Sequence, residues 1–257
     1  MEGAAVLQGF SSITELPYVE KFDHFEVVES TNTYAKSLKA FPQQGMYIIL
    51  SDIQTAGRGQ RGNSFFSHIP GGLWVSIVCP VDDISCHFRY NRAISMAIYD
   101  ILHEKAPDTC CAIKWPNDIL CNQKKICGIL LETSRHSKNH LIIGFGLNLN
   151  NRTCLFPPDI AAVATTLSDE TGDNVSLEEI LAGVVENFYR NIHLDSSLLH
   201  QLYCKRLYGV GMMIALGEQQ GIFEGVLDDG RLCLKKDGMT LYFSSGPMRV
   251  IGDQPCL

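Results

Sequence analysis

Two arginines, Arg58 and Arg61, lie in the glycine-rich stretch QTAGRGQRG, which begins at Gln54. Its glycines have the G-x-G-x-x-G spacing of a dinucleotide-binding turn, which needs a strand before it and a helix directly after it. The strand is present as MYIILSDI, but the stretch is followed by NSFFSHIPGG and then by a second strand, LWVSIVC. Because no helix N-terminus is available to hold a pyrophosphate, a nicotinamide or flavin oxidoreductase is disfavoured. We interpret the stretch as a mobile loop whose two cations cover an anionic ligand.

Four other motifs combine polar side chains with turns or strands. They are Ser30-Thr31-Asn32, Lys114–Asp118 (KWPND), Lys124–Gly128 (KKICG) and Gly144–Asn148 (GFGLN). Each also has a purely structural interpretation: a helix cap, a turn between strands, a solvated strand edge and a site of close backbone packing, respectively. None of the four specifies a reaction by itself.

The composition is that of an ordinary folded protein. The chain has 257 residues, of which 46% are apolar and 19% are charged, and this length allows one large domain or a domain with a smaller second one. The formal net charge of −7 argues against a broad nucleic-acid-binding surface, which needs clustered cations. No apolar run is long enough to span a membrane, and the start lacks the basic and apolar segments of a secretory signal.

The ten cysteines are scattered along the chain, and no two of them form a C-x-x-C pair. Without a secretory signal, this spread favours reduced and mostly buried thiols in a cytoplasmic protein over a disulfide framework. The eight histidines form neither H-x-H nor H-E-x-x-H, so nothing in the sequence predicts a zinc site.

Apolar periodicity predicts the elements that carry these motifs. Strands are expected at Phe22–Val28, Met46–Asp52 and Leu73–Cys79, and in the later runs CAIKW, KICGILLET and HLIIGFGLNL. Helices are expected from an N-cap at Ser30 or Thr31 to Phe41, over Ser85–Glu104, from the cap Ser176 to Ile192, and over Asp195–Tyr208. The segment between residues 151 and 173 is rich in turn-forming residues.

From Gly211 onward the sequence changes to short strands joined by glycine turns. Asp229-Gly230 and Asp237-Gly238 are strong hairpin signals. We therefore predict an α/β (α+β) fold in two domains, a larger one with a mixed sheet over residues 1–208 and a small β-barrel over residues 209–257.

In this order, the arginine loop, KWPND, K-x-x-GIL and GFGLN resemble the biotin protein ligase family (biotin–[acetyl-CoA-carboxylase] ligase, or holocarboxylase synthetase). The resemblance covers Val27 to Asn150, and the glycine-turn segment is similar in kind to the family's C-terminal domain. It implies a mixed-sheet core of the class II aminoacyl-tRNA synthetase type, with helices on one side, followed by an SH3-like barrel. It also implies two steps: biotin and ATP give biotinyl-5′-AMP and pyrophosphate, and a lysine of a biotin carboxyl carrier protein then takes the biotinyl group.

The resemblance implies roles for individual residues. Lys125, Arg58 and Asp118 are expected to be catalytic, with Asp118 helping to hold Mg²⁺ beside the phosphates. Biotin is expected to contact Ser30, Thr31, Asn32, Gln54, Gly57, Arg58, Gly59, Gln60, Lys125 and Gly128. The nucleotide is expected to contact Arg58, Arg61, Trp115, Asn117, Asn148 and Arg249, with the Trp115 ring near the adenine. ATP and Mg²⁺ are thus co-substrate and ion, and no prosthetic group is implied.

The sequence departs from the family pattern at two loop positions. Gln60 stands where the common form has a second arginine, and Phe65 stands at a tryptophan position. The loss of a cation at Gln60 predicts a loop that still closes but retains the adenylate less tightly. The few residues before the first strand, together with the negative charge, predict a ligase without a DNA-binding repressor role. A homodimer formed through sheet edges stays open.

Two other functions compete with biotin ligation. A lipoate or octanoate ligase or transferase would use the same kind of chemistry, but a lipoyl pocket has no ureido ring whose polar groups need partners. A non-catalytic biotin sensor would need none of the adenylation residues Arg58, Asp118 and Lys125. The sequence therefore favours a biotin ligase.

Overall fold

The computed structural model describes residues 9–252 of the chain. The expectation that the chain has no secretory signal rests partly on residues 1–8, which lie outside the described residues. Cys256 lies outside them too. The outer limits of the two predicted domains, residues 1 and 257, lie outside them as well.

The described residues form two β-sheets and seven α-helices. The strands of the first sheet are β1 (Val19–Val28), β2 (Met46–Gln54), β3 (Leu73–Pro80), β4 (Cys111–Lys114), β5 (Asp118–Cys121), β6 (Lys124–Ser134) and β7 (Ser137–Leu147). Those of the second sheet are β8 (Met213–Leu216), β9 (Gln219–Val226), β10 (Leu232–Lys236), β11 (Met239–Phe243) and β12 (Met248–Val250). The helices are α1 (Ser11–Thr14), α2 (Thr31–Ser37), α3 (His87–Lys105), α4 (Pro158–Ala161), α5 (Leu167–Thr171), α6 (Leu177–Ile192) and α7 (Ser196–Cys204).

The first sheet is mixed, as predicted. Its seven strands follow the order β1-β2-β3-β7-β6-β5-β4. β1 and β2 pair in parallel, while every other neighbouring pair is antiparallel. Long hairpin-connected strands therefore dominate its centre, and a crossover through α2 supplies its single parallel pair.

Helices cover both faces of this sheet, so the expectation of helices on one side was wrong for α2. Ile48 and Ile77 point to the face that packs against α3, and α6 and α7 pack against α3 in turn. Their sequence neighbours Tyr47 and Val78 point to the opposite face, where α2 packs. Successive side chains alternate between faces, so strands buried on both faces read as unbroken apolar runs such as MYIIL.

Side-chain caps fix where the predicted helices begin. Ser30 is the N-cap of α2, and its hydroxyl accepts from the backbone N–H of Thr33 at 3.5 Å. Ser176 caps α6 in the same way, accepting from the N–H of Glu179 at 3.3 Å. The helix predicted to run to Tyr208 ends at Cys204, because the next residues leave it to pair with β4.

The second sheet is antiparallel, with strand order β11-β10-β9-β8-β12, and agrees with the predicted all-β C-terminal unit. Both predicted glycine turns are hairpins, joining β9 to β10 and β10 to β11. The chain enters this sheet through residues 206–208, where the N–H of Ile113 donates to Arg206 and the N–H of Tyr208 donates to Ile113, each at 2.8 Å. A single apolar core spans both sheets, and a domain boundary at residue 209 stays a prediction.

None of the helices within residues 9–252 is long and apolar enough to cross a membrane. Five of the nine cysteines in that range are buried free thiols, namely Cys79, Cys111, Cys121, Cys127 and Cys233. Cys111 and Cys121 are directly opposed across the β4–β5 hairpin.

Candidate active site

Two cavities adjoin on the face of the first sheet that α2 covers. The first has a volume of about 50 Å³ and is lined by the start of α2, the arginine loop and the inner strands β6 and β7. The second has a volume of about 380 Å³ and lies between the arginine loop, the KWPND turn and the segment before β12. The residues that line both are Gly59, Gln60, Phe65, Asn117 and Lys125. A molecule in one cavity would therefore meet a molecule in the other at this shared wall.

Two glycines of β7 leave room for the first cavity. A methyl group at Gly144 would lie 2.2 Å from Oδ1 of Asn32, and one at Gly146 would lie 2.3 Å from Cε1 of Phe65. Such distances are far inside van der Waals contact, so any larger residue would displace these side chains. The close-packing interpretation of GFGLN is correct, and the packing that it permits forms the floor of a binding cavity.

The buried end of this cavity is polar, and its side chains hold one another in place. Oε1 of Gln54 accepts from the N–H of Thr31 at 2.8 Å, and Nε2 of Gln54 donates to Ser67 at 3.1 Å. The Ser76 hydroxyl lies 2.8 Å from Oγ1 of Thr31 and 2.5 Å from Oδ1 of Asn32. Ser76 was missed in the sequence because it lies inside an apolar strand, where a small buried serine is unremarkable. These fixed donors and acceptors can recognise a polar head group.

A second residue missed in the sequence, Glu132 on β6, links the arginine loop to α2. One carboxylate oxygen accepts from Nζ of Lys36 at 2.5 Å and from Nη2 of Arg58 at 3.1 Å, and the other accepts from Nδ2 of Asn32 at 3.0 Å. Burial alone would raise the pKa of Glu132. The bonds from Lys36 and Asn32, with the charges of Lys36 and Arg58, nevertheless hold this pKa below its ordinary value.

The arginine loop is a tight hairpin rather than the start of a helix, in agreement with the prediction. The N–H of Gly59 donates to Asn63 at 2.7 Å, and the N–H of Phe65 donates to Gly57 at 2.9 Å. Gly57 is required for this closure, because a methyl group there would lie 2.3 Å from Oγ of Ser67. Gly57 supports the loop without lining either of the two cavities.

A β-bulge points Lys125 into the shared wall. The pairing of β5 with β6 shifts by one residue between Ile119 and Leu120, which leaves Ile126 as the extra residue of β6. In a regular strand, Lys125 and Gly128 would face opposite sides of the sheet, whereas the bulge places them on the same side. A methyl group at Gly128 would accordingly lie 3.0 Å from Nζ of Lys125.

The position of Lys125 is fixed from several directions. Its ammonium group pairs with Oδ1 of Asp118 at 2.6 Å. Its backbone N–H donates to Val163 and its carbonyl accepts from Thr165, each at 2.9 Å. Asn148 braces the same segment, because its Nδ2 donates to the carbonyl of Thr165 at 3.1 Å. Asn148 lines neither of the two cavities, and its expected contact with the nucleotide stays a prediction.

Cations are concentrated around the second cavity, although the chain is acidic overall. It is lined by Arg61, Lys114, Lys125 and Arg249, with Asp118 as its single carboxylate. Burial lowers the pKa of Lys114, and the neighbouring Asp118 carboxylate partly opposes that shift. Lys114 was not predicted as a site residue, although it begins the KWPND motif. This cavity is suited to a polyanion such as a triphosphate.

The KWPND turn is anchored to both sheets. The indole N–H of Trp115 donates to the carbonyl of Gly230 in the β9–β10 turn at 2.9 Å, and the Trp115 side chain is only 1% exposed. Trp115 lines the second cavity but exposes almost none of its ring, and its expected position near the adenine stays a prediction. Asn117 lines both cavities and donates through Nδ2 to the carbonyl of Ile129 at 2.6 Å.

The chain is similar in sequence to known ligases. The model of the biotin/lipoate A/B protein ligase family matches residues 24–148. The biotin–[acetyl-CoA-carboxylase] ligase of Paracoccus denitrificans is 31% identical over 229 residues, which is 81% of this chain and 92% of that protein. The bifunctional ligase/repressor BirA of Bacillus subtilis is 27% identical over 237 residues, covering 86% of this chain and 72% of that protein.

Solved structures agree in fold. The biotin protein ligase from Aquifex aeolicus in complex with biotin and ATP superposes with a TM-score of 0.77 at 24% identity, covering 91% of this chain and 100% of that one. The large mixed sheet followed by a five-stranded antiparallel sheet is thus the architecture of a known biotin ligase. With the sequence relationships above, the comparison leads to one conclusion: the chain belongs to the biotin protein ligase family.

Proposed function

We propose that this chain uses ATP to activate biotin as biotinyl-5′-AMP and then transfers the biotinyl group to a lysine of a biotin carboxyl carrier protein. The relatives are named biotin–protein ligases, which supports biotin ligation in general. The observation that carries the proposal is the position of Lys125 in the wall between a polar-ended cavity and a cation-lined one. A carboxylate and a nucleotide phosphate would meet there.

In the first step, an oxygen of the biotin carboxylate attacks the α-phosphorus of ATP. The bond from that phosphorus to the oxygen bridging the α- and β-phosphates breaks, and pyrophosphate leaves with the electron pair. Two anions approach each other and charge builds on the phosphoryl oxygens, so fixed cations lower the barrier. Lys125 at the wall and Arg58 on the loop are the catalytic groups in this proposal, with Lys114, Arg61 and Arg249 on the phosphate side.

Biotin would bind in the first cavity. The ureido ring of biotin has two N–H donors and one carbonyl acceptor, and all three need partners when they are buried. Thr31, Asn32 and Gln54 are each at most 6% exposed and provide both donors and acceptors at the cavity's buried end. We further assign Ser30, Gly59, Gln60 and Gly128 to this site because they line it.

The nucleotide would bind in the second cavity. Asn117, Arg61 and Arg249 line that cavity and are assigned to the nucleotide. Trp115 would shape the cavity as a buried wall, and Asn148 would act by bracing Lys125. The entry of ligands requires the Phe65 ring or the loop to shift, since the first cavity at about 50 Å³ holds little more than water.

Mg²⁺ would accompany ATP. Asp118 is the only carboxylate that lines these two cavities, and residues 9–252 contain no group of three or more His, Cys, Asp or Glu side chains able to hold a metal ion. One carboxylate beside a phosphate site fits Mg²⁺, which is commonly held by substrate phosphates, water and one or two carboxylates. When bound, the ion would neutralise phosphate charge, and Asp118 would be shared between it and Lys125.

In the second step, the ε-amine of the carrier lysine attacks the carbonyl carbon of the mixed anhydride. An amide bond forms, the bond to the phosphate oxygen breaks, AMP leaves, and the amine loses a proton. The nucleophile comes from the carrier, so the enzyme needs no nucleophilic serine or cysteine of its own.

The proposal is tested by supplying the carrier. The purified chain is incubated with biotin, ATP, Mg²⁺ and an apo biotin carboxyl carrier domain, and covalent biotin is detected by intact mass. A carrier in which the acceptor lysine is replaced by arginine serves as the control. Biotinylation of the first carrier alone supports the proposal, and no biotinylation of either carrier, with AMP formation also absent, contradicts it.

A further inference from the structure

Glu132 connects two parts of the first cavity that are far apart in the sequence. It lies on β6 four residues after Gly128, on the same face of the strand. Its carboxylate bonds to Asn32 and Lys36 on α2 and to Arg58 on the arginine loop. The loop hairpin and the polar end of the cavity are therefore attached to one side chain.

The carboxylate fixes the orientation of the Asn32 amide. An ionised carboxylate only accepts hydrogen bonds, so it selects the amide orientation that points Nδ2 at Glu132 and Oδ1 at the hydroxyl of Ser76. The Nδ2 group also donates to the carbonyl of Leu130 at 3.3 Å. A neutral glutamine at position 132 could accept or donate, so only the longer bond to the Leu130 carbonyl would then select this orientation.

The same carboxylate holds Arg58 while leaving donors available for a ligand. The bond to Glu132 uses Nη2 alone, and a guanidinium has five N–H donors. The Arg58 side chain is 47% exposed, whereas that of Glu132 is 15% exposed, so the half-buried carboxylate anchors the more exposed guanidinium. Lys36 forms a second ion pair with the same carboxylate from α2.

We propose that Glu132 is a positioning residue for biotin: it orients the Asn32 amide at the buried end of the cavity and holds the arginine loop over the cavity through Arg58. The role rests on the proposed function, because it names a further residue of the same site. Glu132 itself does not line either cavity, so it acts through Asn32 and Arg58.

Glu132→Gln tests the role with biotin binding by calorimetry and with the KM values of biotin and ATP in pyrophosphate exchange. Charge-assisted hydrogen bonds are roughly twice as strong as neutral ones, so the Kd and KM for biotin are expected to rise by about tenfold. The KM for ATP is expected to stay within about twofold, since neither Asn32 nor Arg58 lines the second cavity.

Lys36→Gln is the matched control. It removes the other ion pair of the same carboxylate but leaves the bonds to Asn32 and Arg58 intact. If Glu132 only braces β6 against α2, both variants will lower the unfolding temperature while binding biotin equally well. If Glu132 positions the site, only Glu132→Gln will lose biotin affinity. If Glu132→Gln does not fold, Glu132→Asp replaces it, because it keeps the charge on a shorter side chain. Its Kd for biotin should lie between the wild-type value and the rise of about tenfold expected for Glu132→Gln.

The outcomes separate this inference from the proposed function. A wild-type chain that exchanges pyrophosphate, with both Glu132 variants binding biotin as the wild type does, overturns the role of Glu132 alone. A wild-type chain that does not bind biotin overturns both proposals. An equal rise of the KM for biotin and for ATP would also contradict the role, since it would indicate general damage to the site.

Discussion

Replacing Gly144 by alanine probes the floor of the first cavity. The backbone tolerates the change, since Gly144 does not have a positive φ. The new methyl group, however, would lie 2.2 Å from Oδ1 and 2.8 Å from Cγ of Asn32. The Asn32 side chain must therefore move, because the alternative is a shift of the central strand β7.

The magnitude follows from the bonds that Asn32 would lose. Its amide is bonded to Leu130, Glu132 and Ser76, and each such bond contributes a net stability of about 1 kcal/mol. The variant is thus expected to lose about 1 to 3 kcal/mol of unfolding free energy, a range that is also typical of overpacked cores. Biotin affinity should fall with it, whereas ATP affinity should not, since Gly144 lines the first cavity only.

Urea unfolding and calorimetry with biotin and with a non-hydrolysable ATP analogue measure these effects. Gly172→Ala is the control, because Gly172 has a φ of 84° with open space around it, so alanine there costs about 1 kcal/mol without touching either cavity. Combining Gly144→Ala with Asn32→Ala should recover at least about 1 kcal/mol relative to the sum of the single variants. Wild-type stability together with wild-type biotin affinity in Gly144→Ala would refute the close contact with Asn32.

Three further predictions concern the wall, the loop and the contact between Arg92 on α3 and Asp228 in the β9–β10 turn. Lys125→Met should slow pyrophosphate exchange by about 100- to 1,000-fold with little change in stability. Lys124→Met, at the exposed neighbouring position, should leave the exchange rate unchanged, and equal rates in the two variants would exclude a catalytic role for Lys125. Gln60→Arg places a cation in the shared wall and should slow the release of free biotinyl-AMP, measured in the absence of carrier. An unchanged release rate would exclude a role for position 60 in retaining the adenylate. A hydrogen bond from Arg92 holds the pKa of Asp228 below its ordinary value of 3.8. The stability that Asp228 contributes is therefore fully present above pH 3.8 and is lost as the pH falls through the lower pKa of the folded state. Wild type should therefore exceed Asp228→Asn in unfolding free energy at neutral pH and converge with it at low pH, and a constant difference across that range would contradict the assignment.

The elements that carry the site were largely predictable from the sequence. Long apolar runs predicted β2 and β3, and helical spacing predicted α3. The serine caps predicted the starts of α2 and α6 within one residue. These signals are local, and the corresponding interactions are local too. β5 was missed, because its four residues DILC directly follow a turn and are too short for a periodic pattern.

The partners of the site residues were much less predictable. Ser76 and Glu132 contact Asn32 across separations of 44 and 100 residues, and no local pattern encodes such contacts. The bulge that turns Lys125 toward Gly128 depends on how β6 pairs with β5, which a single sequence does not specify. The resemblance to a family identified Lys125 and Arg58 as site residues, but only the fold reveals the carboxylates that hold them, Asp118 for Lys125 and Glu132 for Arg58.

The measurement that tests the central claim most directly is the exchange of labelled pyrophosphate into ATP with Mg²⁺ and biotin, beside identical tubes that contain lipoate or no acid. Exchange requires the reversible formation of an acyl-adenylate and needs no carrier protein. The account predicts exchange with biotin alone. Exchange with lipoate instead would mean that the polar end of the first cavity has been misinterpreted, and biotin binding without any exchange would contradict adenylation at the wall formed by Lys125.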